Sequence, residues 1–328
     1  MEFRTILPIK KYEFPVDYQS DIVLLGSCFA ENMAEKFKYF QFQNTVNPFG
    51  IIFNPVSLEK IIRRSVNKDY FSEKDIFFHN DLWHCYEVHS ELSNPNKETF
   101  LAKLNEIIES THQQITKATH LIITLGTSWV YRSIASNEIV ANCHKVPQKQ
   151  FTKELLSIET ITQSLQNISA LVLSINKEAK FIFTVSPVRH IKDGFVENNV
   201  SKAHLLSALY EMGNSQLLRV NYFPSYEIMM DELRDYRFYA NDMLHPSSTA
   251  IDYIWIKFFE NYVATKEFDT MQRVCDIQKG IAHRSFNVDS EKHQLFLKQL
   301  SQKMDSIVKQ FPHMEFYNSN SNQINNVK

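Results

Sequence analysis

The sequence lacks the features that mark several common classes of protein. Its 35 Lys and Arg residues are balanced by 37 Asp and Glu residues, giving a net charge of −2. No basic run or stripe stands out, so a nucleic-acid partner is disfavoured. No apolar run is long enough to span a membrane, and residues 1–8 contain no continuous apolar segment of the kind found in a secretory signal. We expect a cytoplasmic protein with no membrane partner.

Cysteine and glycine are also scarce. The four cysteines lie far apart and form no CxxC pair, which favours reduced thiols over a disulfide framework. His79, His84 and His89 are spaced by five residues, which matches no standard zinc pattern, so we expect no metal ion and no cofactor. Of only six glycines, Gly26 and Gly126 each end an apolar run, as expected where a strand meets a turn.

The chain is rich in apolar residues, and these residues form strand-like segments that alternate with helical ones. They make up 44% of the sequence and include 25 Phe and 14 Tyr, enough for a large aromatic core. Strand-like runs alternate with segments of helical periodicity; the runs lie at 22–25, 45–46, 120–126, 181–187 and 217–222. Such alternation predicts a parallel sheet with helices on both faces. We expect an α/β fold, a three-layer α/β/α sandwich with a five-stranded parallel sheet in the flavodoxin-like order 2-1-3-4-5.

Two predicted features lie outside this core. Apolar runs at 76–79 and 82–88 flank Asn80-Asp81 and predict a hairpin inserted near 75–90 of a first domain over 1–265. Helical periodicity without strands then predicts a C-terminal helical extension over 266–311, followed by a disordered tail at 312–328. The apolar stripe of the extension must be buried on the core domain or on a second chain, which makes a homo-oligomer through these helices one expectation.

Ser27 occupies the junction between the first predicted strand and the first predicted helix. Residues 22–25 have the pattern of a buried strand, and apolar residues recur at helical spacing from Ala30 onward. The carboxyl edge of an open α/β sheet is where such folds bind ligands, and helix N–H groups gather there. Ser27 is therefore either a helix N-cap or a nucleophile, and its immediate neighbours do not decide between the two.

A nucleophilic serine requires a base and an acid that orients the base, and the chain has one well-formed candidate pair. Asp242 and His245 are three residues apart, directly before a helix that we expect Pro246 to begin. In such a turn the carboxylate can accept a hydrogen bond from one imidazole nitrogen while the other faces outward. The alternative is that Asp242 caps the helix and His245 is a surface residue. Their place after the last strand favours the catalytic interpretation.

Residues 26–30 read Gly-Ser-Cys-Phe-Ala, the motif for which the GSCFA family is named. With a glycine after a middle strand and a late Asp-x-x-His, residues 20–262 resemble the SGNH (GDSL-like) hydrolase superfamily. Further stretches that look like the GSCFA family lie at 47–50, 142–145, 186–190, 223–226 and 235–239. By this resemblance Ser27 is the nucleophile, His245 the general base and Asp242 the acid that orients it.

The resemblance also implies donors for an oxyanion, and here the chain departs from the superfamily pattern. The backbone N–H of Ser27 is one expected donor, and Gly50 corresponds to the glycine of the second superfamily motif. The third motif, Gly-x-Asn, reads Gly126-Thr127-Ser128 and lacks the asparagine. A hydroxyl of Thr127 or Ser128, or the amide of Asn47, is expected to donate in its place.

Four other residues are candidates for the crevice. Arg189 and His190 follow the fourth strand at the same edge; they either contact an anionic or hydroxyl-rich substrate or form an exposed loop pair. His144 is a further candidate to line the crevice, whereas a dyad with Cys143 is disfavoured because adjacent side chains diverge on a strand. Cys28 is an alternative nucleophile, but a cysteine in the first turn of a helix is more often buried against the sheet.

The resemblance implies a serine hydrolase that removes a short acyl group, acetyl being the simplest, from a carbohydrate or small ester through an acyl-enzyme. An O-acyltransferase would use the same residues with water excluded. An alternative from another class is a domain that binds a glycan or peptide without catalysis, in which Ser27 and Asp242 are helix caps. The expected partner is accordingly a small-molecule or carbohydrate ester.

Overall fold

The computed structural model describes residues 5–214 and 219–316. Its strands, in chain order, are β1 (Ile22–Gly26), β2 (Asn44–Val46), β3 (Phe77–His79), β4 (Leu82–His84), β5 (His120–Leu125), β6 (Trp129–Ser133), β7 (Ile139–Val140), β8 (Phe151–Leu155), β9 (Lys180–Val185) and β10 (Val220–Tyr222). Its helices are α1 (Cys28–Tyr39), α2 (Pro55–Asn67), α3 (Lys97–Lys117), α4 (Ile158–Ile175), α5 (Phe195–Asn214), the one-turn α6 (Ser225–Glu227), α7 (Ser248–Tyr262), α8 (Phe268–Ala282) and α9 (Glu291–Gln310).

Five parallel strands form the central sheet in the order β2-β1-β5-β9-β10. This is the flavodoxin-like order, and the predicted sheet is confirmed. β1 pairs with β5 from Ile22 opposite His120 to Gly26 opposite Thr124. The chain moves outward from β1 to β2 and then crosses to β5 on the other side of β1. The topological switch point therefore lies between β1 and β5, where α/β sheets open a crevice for ligands.

Alternate residues of β1 face the two helical layers, as the period of two along a strand requires. Val23 and Leu25 pack in a core shared with α2, α3, α4 and α5. Ile22 and Leu24 pack in a second core with α1, α7, α8 and α9. Each layer contains large apolar residues that are almost fully buried, such as Phe37 of α1. The predicted three-layer sandwich is confirmed.

The C-terminal helices cover the α1–α7 face of this same chain. Their buried apolar residues are Met271, Val274 and Ile277 of α8 and Leu300 and Ile307 of α9, all in the second core. A Cβ atom at Gly280 would lie 2.7 Å from Cδ1 of Leu300, so α8 and α9 approach each other closely at this point. The core domain thus buries much of the apolar stripe of these helices. From the sequence alone, either the core domain or a second chain could have covered this stripe. The part of the predicted tail from residue 317 onward lies outside the described residues.

The inserted hairpin is formed by β3 and β4, which pair antiparallel through a turn at Asn80 and Asp81. Both turn residues have positive φ, 46° and 61°, as a two-residue hairpin turn with the right twist requires. The second strand ends at His84, earlier than the predicted residue 88. Within the described ranges, no helix combines the length and apolar character needed to cross a bilayer.

An antiparallel sheet in the order β7-β6-β8 follows β5, and the sequence did not reveal it. Strand β7 has only two residues, and in β8 only Phe151 is buried, so these strands carry little of the periodic burial by which strands are recognised. The sheet packs against the hairpin: Phe151 of β8 shares a small buried cluster with Phe77 of β3 and with Tyr86. The hairpin and this second sheet therefore pack against each other, and the second sheet begins just after the carboxyl end of β5.

Candidate active site

Ser27 lies at the switch point, one residue beyond the end of β1, and begins α1 as its N-cap. Its Oγ accepts a hydrogen bond from the N–H of Phe29 at 3.3 Å. Its own N–H donates to the carbonyl oxygen of Thr124 at 3.0 Å, so the pairing with β5 continues to this residue. The side chain is only 1% exposed. Among the described residues the hydroxyl proton of Ser27 has no acceptor. The hydroxyl therefore accepts the capping bond but donates no hydrogen bond.

Gly26 brings this turn unusually close to β5. Its φ is +129°, and a Cβ atom would lie 2.1 Å from the carbonyl oxygen of Thr124, so only glycine fits. The N–H of Gly26 donates to Oδ1 of Asn47 at 2.8 Å, and its carbonyl accepts from the N–H of Ile52 at 3.1 Å. The N–H of Gly126 donates to the carbonyl of Phe53 at 2.8 Å. Residues 47–53 therefore bridge the ends of β1 and β5 beside Ser27.

The backbone groups expected to donate to an oxyanion are already hydrogen-bonded. Besides the bond from Ser27 to β5, the N–H of Gly50 donates to the carbonyl of Asn47 at 2.7 Å. The side-chain Nδ2 of Asn47 makes only a long contact, 3.4 Å, with Oε1 of Glu31. Since Oδ1 of Asn47 is held by Gly26, the amide group is fixed at this turn and retains donor capacity.

The hydroxyls of Thr127 and Ser128 are occupied by α5. Oγ1 of Thr127 lies 2.7 Å from Oγ of Ser201, and Oγ of Ser128 donates to the carbonyl of Ser201 at 3.0 Å. The N–H of Ser128 also donates to Oγ of Ser201 at 2.8 Å. All three side chains are buried. In this structure the two residues after Gly126 anchor α5 to the end of β5, and of the three expected side-chain donors Asn47 is the one that remains available.

Asp242 and His245 form a preorganised pair on the loop before α7. Oδ2 of Asp242 accepts a hydrogen bond from Nδ1–H of His245 at 2.6 Å. Oδ1 accepts from the backbone N–H groups of His245 at 3.0 Å and Leu244 at 2.9 Å. These backbone bonds, followed by the imidazole bond, lower the pKa of Asp242 to about 2. The carboxylate is therefore ionised at neutral pH and holds the ring in the tautomer with the proton on Nδ1.

The helix-cap interpretation of Asp242 does not hold. Ser247 is the N-cap of α7, with its Oγ accepting from the N–H of Ala250 at 3.3 Å, and the helix begins at Ser248 rather than at Pro246. Pro246 instead forms a β-bridge with Tyr239. Among the described residues Nε2 of His245 has no hydrogen-bond partner, and about half of the side chain is exposed. A free Nε2 opposite a carboxylate-bound Nδ1 is the arrangement of a general base.

His190 lies between this pair and the end of β5. Its Nε2 would be 3.4 Å from a Cβ atom at Gly126, and its ring lies 5.8 Å from that of Phe53. Burial, followed by the nearby charge of Lys202, lowers the pKa of His190 to about 3. The imidazole is therefore neutral, and its buried Nε2 has no hydrogen-bond partner. His190 thus lies against the end of β5, and the preceding residue, Arg189, donates its N–H to the carbonyl of Leu244 on the loop of the acid–base pair at 3.2 Å.

His144 and the cysteines belong to other surroundings. His144 is buried against the hairpin, where its Nε2–H donates to the carbonyl of Cys85 at 2.7 Å and its ring lies 4.6 Å from that of His84. Burial lowers the pKa of His144 to about 4. These contacts hold the two insertions together, and none of them involves the residues at the sheet edge. Burial, with the nearby charge of Glu31, also raises the pKa of the Cys28 thiol, which disfavours it as the nucleophile.

Lys202 of α5 is a residue of this edge that the sequence analysis did not identify. Its side chain is fully buried, and Nζ donates to the carbonyls of Gly126 and Ser186, each at 2.7 Å. The ammonium group therefore joins the ends of β5 and β9. Burial lowers its pKa to about 7. A signal was present, because Lys202 falls on the apolar stripe of α5 that continues with Leu205, Leu209 and Met212.

Replacing this lysine should change how the free energy of unfolding depends on pH. With a folded-state pKa of about 7 against 10.5 when unfolded, the unfolded chain binds one more proton between these values. The wild type therefore gains stability as pH rises from 7 towards 10.5, by about 1.4 kcal/mol per pH unit at most. The Lys202→Met variant should lack this gain. Urea unfolding at pH 6.5 and pH 9 measures the change in the free energy of unfolding, with Lys298→Met, at an exposed position, as the control. The same change in wild type and Lys202→Met would contradict the prediction.

Comparison with known proteins places the whole central sheet in one family. The model of the GSCFA family matches residues 21–258. A second model, described as the GSCFA domain protein C-terminal domain, matches residues 274–321, which include the second half of α8 and all of α9. No curated protein matches the chain at a significant level. The first match spans well over half of the sequence and includes every residue of the sheet edge discussed above, and the chain therefore belongs to the GSCFA family.

Proposed function

We propose that this protein is a serine esterase of the SGNH type, which takes a short acyl group from an ester onto Ser27 and then passes it to water. The observation that carries the proposal is the pair formed by Asp242 and His245. Its carboxylate is held by two backbone N–H groups, caps no helix, and binds Nδ1 of the imidazole at 2.6 Å while Nε2 is left without a partner. This geometry supports a general base in the correct tautomer.

The chemistry follows the usual course of acyl transfer. Nε2 of His245 takes the proton of Ser27 as Oγ attacks the ester carbonyl carbon, and the carbonyl electrons move onto oxygen. Collapse of this oxyanion expels the alcohol, which receives the proton from His245. Water then attacks the acyl group with His245 again as the base, and the proton returns to Oγ of Ser27 as the acid leaves. Asp242 remains ionised throughout and stabilises the imidazolium.

We assign stabilisation of the oxyanion to the turn that follows β2. Nδ2 of Asn47 is the donor with capacity to spare, on an amide whose orientation is fixed by the bond from Gly26. A single working donor of this kind is worth about 10²–10³ in kcat. Because Ser27 is 1% exposed, substrate entry requires residues 47–53 or the loop of the acid–base pair to move outward. The proposed substrate class is a carbohydrate or small ester.

A cytoplasmic location is part of the same proposal. All four cysteines, at positions 28, 85, 143 and 275, are free thiols. Reduced cysteines are typical of proteins that are kept in a reducing compartment. Burial raises the pKa of Cys85 to about 12 and that of Cys143 to about 11, so these two thiols are poorly reactive as well as unpaired.

A fluorophosphonate probe tests the proposal directly, because it forms a stable adduct only with an activated serine. We expect one adduct per chain, located at Ser27 by peptide mass spectrometry, and none in Ser27→Ala. Ser186→Ala, which removes another buried serine at the same sheet edge, should label as the wild type does. A folded wild-type protein that takes up no probe would instead favour a domain that binds its ligand without catalysis. Transfer of the acyl group to an added alcohol would distinguish a transferase from a hydrolase.

A further inference from the structure

Arg189 lies beside the acid–base pair and is held there by its backbone. Its N–H donates to the carbonyl of Leu244, the residue before His245, at 3.2 Å. The guanidinium stacks on the rings of Tyr239 and Tyr236, with Cζ 4.0 Å and 5.0 Å from the two ring centroids. Stacking on an aromatic face leaves the edge of the guanidinium plane available for hydrogen bonds in that plane. The side chain is thus held beside the loop that carries Asp242 and His245.

The charge of Arg189 is not neutralised by an acidic side chain. Across residues 5–214 and 219–316, no carboxylate oxygen lies within 4.0 Å of its guanidinium nitrogens. Its buried Nε–H has no hydrogen-bond partner, Nη1 makes a long contact of 3.5 Å with the hydroxyl of Tyr236, and the guanidinium also interacts with the hydroxyl of Tyr239. Arg64 illustrates the contrast, because that guanidinium is paired with both Glu87 and Asp75. An arginine that is ordered but unpaired is prepared to bind an anion.

The neighbouring charges add to this preference. Lys192 and Lys202 are near enough to lower the pKa of the adjacent His190. Asp242, on the loop whose Leu244 carbonyl accepts from Arg189, is fully engaged by His245 and by two backbone N–H groups. Lys192, three residues beyond Arg189 in the same segment, likewise forms no ion pair with a carboxylate among the described residues. Two cations in one segment without acidic partners favour anionic ligands over neutral ones.

We propose that Arg189 is a specificity-determining residue that binds a carboxylate or phosphate on the alcohol part of the ester substrate. The inference rests on the proposed esterase function and narrows it: the substrate is an acylated acidic saccharide or another anionic alcohol, rather than a neutral ester. The planar guanidinium would donate two parallel N–H···O hydrogen bonds to the anion. Its tie to Leu244 sets the anion at a fixed distance from the imidazole that acts on the ester.

Matched aryl esters test the proposal kinetically. We compare kcat/KM for 4-acetoxybenzoate, which carries a carboxylate, and for its neutral methyl ester. The wild type should prefer the anionic ester, and Arg189→Gln should reduce the ratio of the two values by about 10- to 100-fold, the range expected for lost charge-assisted hydrogen bonds. Arg189→Lys keeps the charge but not the planar fork, so it should give an intermediate ratio. Arg237→Gln, on an exposed arginine of the same region, should leave the ratio unchanged.

A binding measurement separates this inference from the esterase proposal. Calorimetric titration of 4-hydroxybenzoate into Ser27→Ala, which cannot turn over an ester, requires no catalysis. Addition of Arg189→Gln to that background should weaken binding by at least about tenfold, and addition of Arg237→Gln should not. If no ester is hydrolysed but this difference is found, the anion site stands and the esterase proposal fails. If binding and the kinetic ratio are both insensitive to Arg189→Gln and Arg189→Lys in folded proteins, the inference is overturned.

Discussion

Ser27→Ala is expected to reduce kcat for acetyl ester hydrolysis by on the order of 10⁶-fold, the loss that follows removal of the serine from a catalytic triad. The hydroxyl oxygen is the atom that forms the acyl bond, and the neighbouring Cys28 thiol is a poor replacement because burial raises its pKa. The variant should remain folded, because its structural cost is one N-cap bond, about 1 kcal/mol. Steady-state hydrolysis of 4-nitrophenyl acetate and urea unfolding measure the two effects.

Ser247→Ala supplies a matched control for this experiment. Ser247 is also a helix N-cap, and its Oγ accepts from Ala250 at 3.3 Å, the same distance as the bond from Phe29 to Ser27. The control therefore has the same loss of helix capping and no loss of nucleophile, and its kcat should stay within about threefold of the wild type, since a cap costs only about 1 kcal/mol. If Ser27→Ala retains activity while Cys28→Ala loses it, the nucleophile is the neighbouring thiol.

The predictions that were confirmed concern features encoded over short stretches of sequence. β1 appeared as a buried run that ends at Gly26, and the parallel sheet followed from the alternation of strands and helices. The pair of Asp242 and His245 could be anticipated as a contact because the two residues are only three apart and meet within one turn. Local periodicity and spacing are sufficient for such features, since the partners are brought together by the same short segment.

Features that depend on long-range packing were not predicted. The bonds that occupy Ser128 reach across 73 residues to Ser201, and the bond from Lys202 to Gly126 spans 76 residues. No local pattern indicates that α5 will pack its polar residues against the end of β5. The oxyanion donors were therefore assigned from a motif alone, and the structure places two of the three side-chain candidates in the interface with that helix. His144 was a candidate to line the crevice, but its hydrogen-bond partner, the carbonyl of Cys85, lies 59 residues away, and no local pattern indicated that contact.

Asp242→Asn is expected to lower kcat by about 10⁴-fold while leaving the loop in place, by analogy with the aspartate of serine proteases. Asparagine keeps an oxygen for the N–H groups of Leu244 and His245, so the turn can persist. Its amide N–H₂ would face Nδ1 of the imidazole in place of a carboxylate oxygen. Nδ1 then has to accept, the ring proton moves to Nε2, and Nε2 can no longer take the proton of Ser27. Binding of a product analogue should change little.

A matched change at Asp235 separates this tautomer effect from simple loop damage. Asp235 also caps its own turn, with Oδ1 accepting from the N–H of Arg237 at 2.9 Å, but it does not hydrogen-bond a histidine. Asp235→Asn should therefore have little effect on kcat. Because the pKa of Asp242 is about 2, wild-type activity should show no acidic limb from this group above about pH 4. A loss below about tenfold in Asp242→Asn would mean that the carboxylate only shapes the turn, and that a different group orients the imidazole.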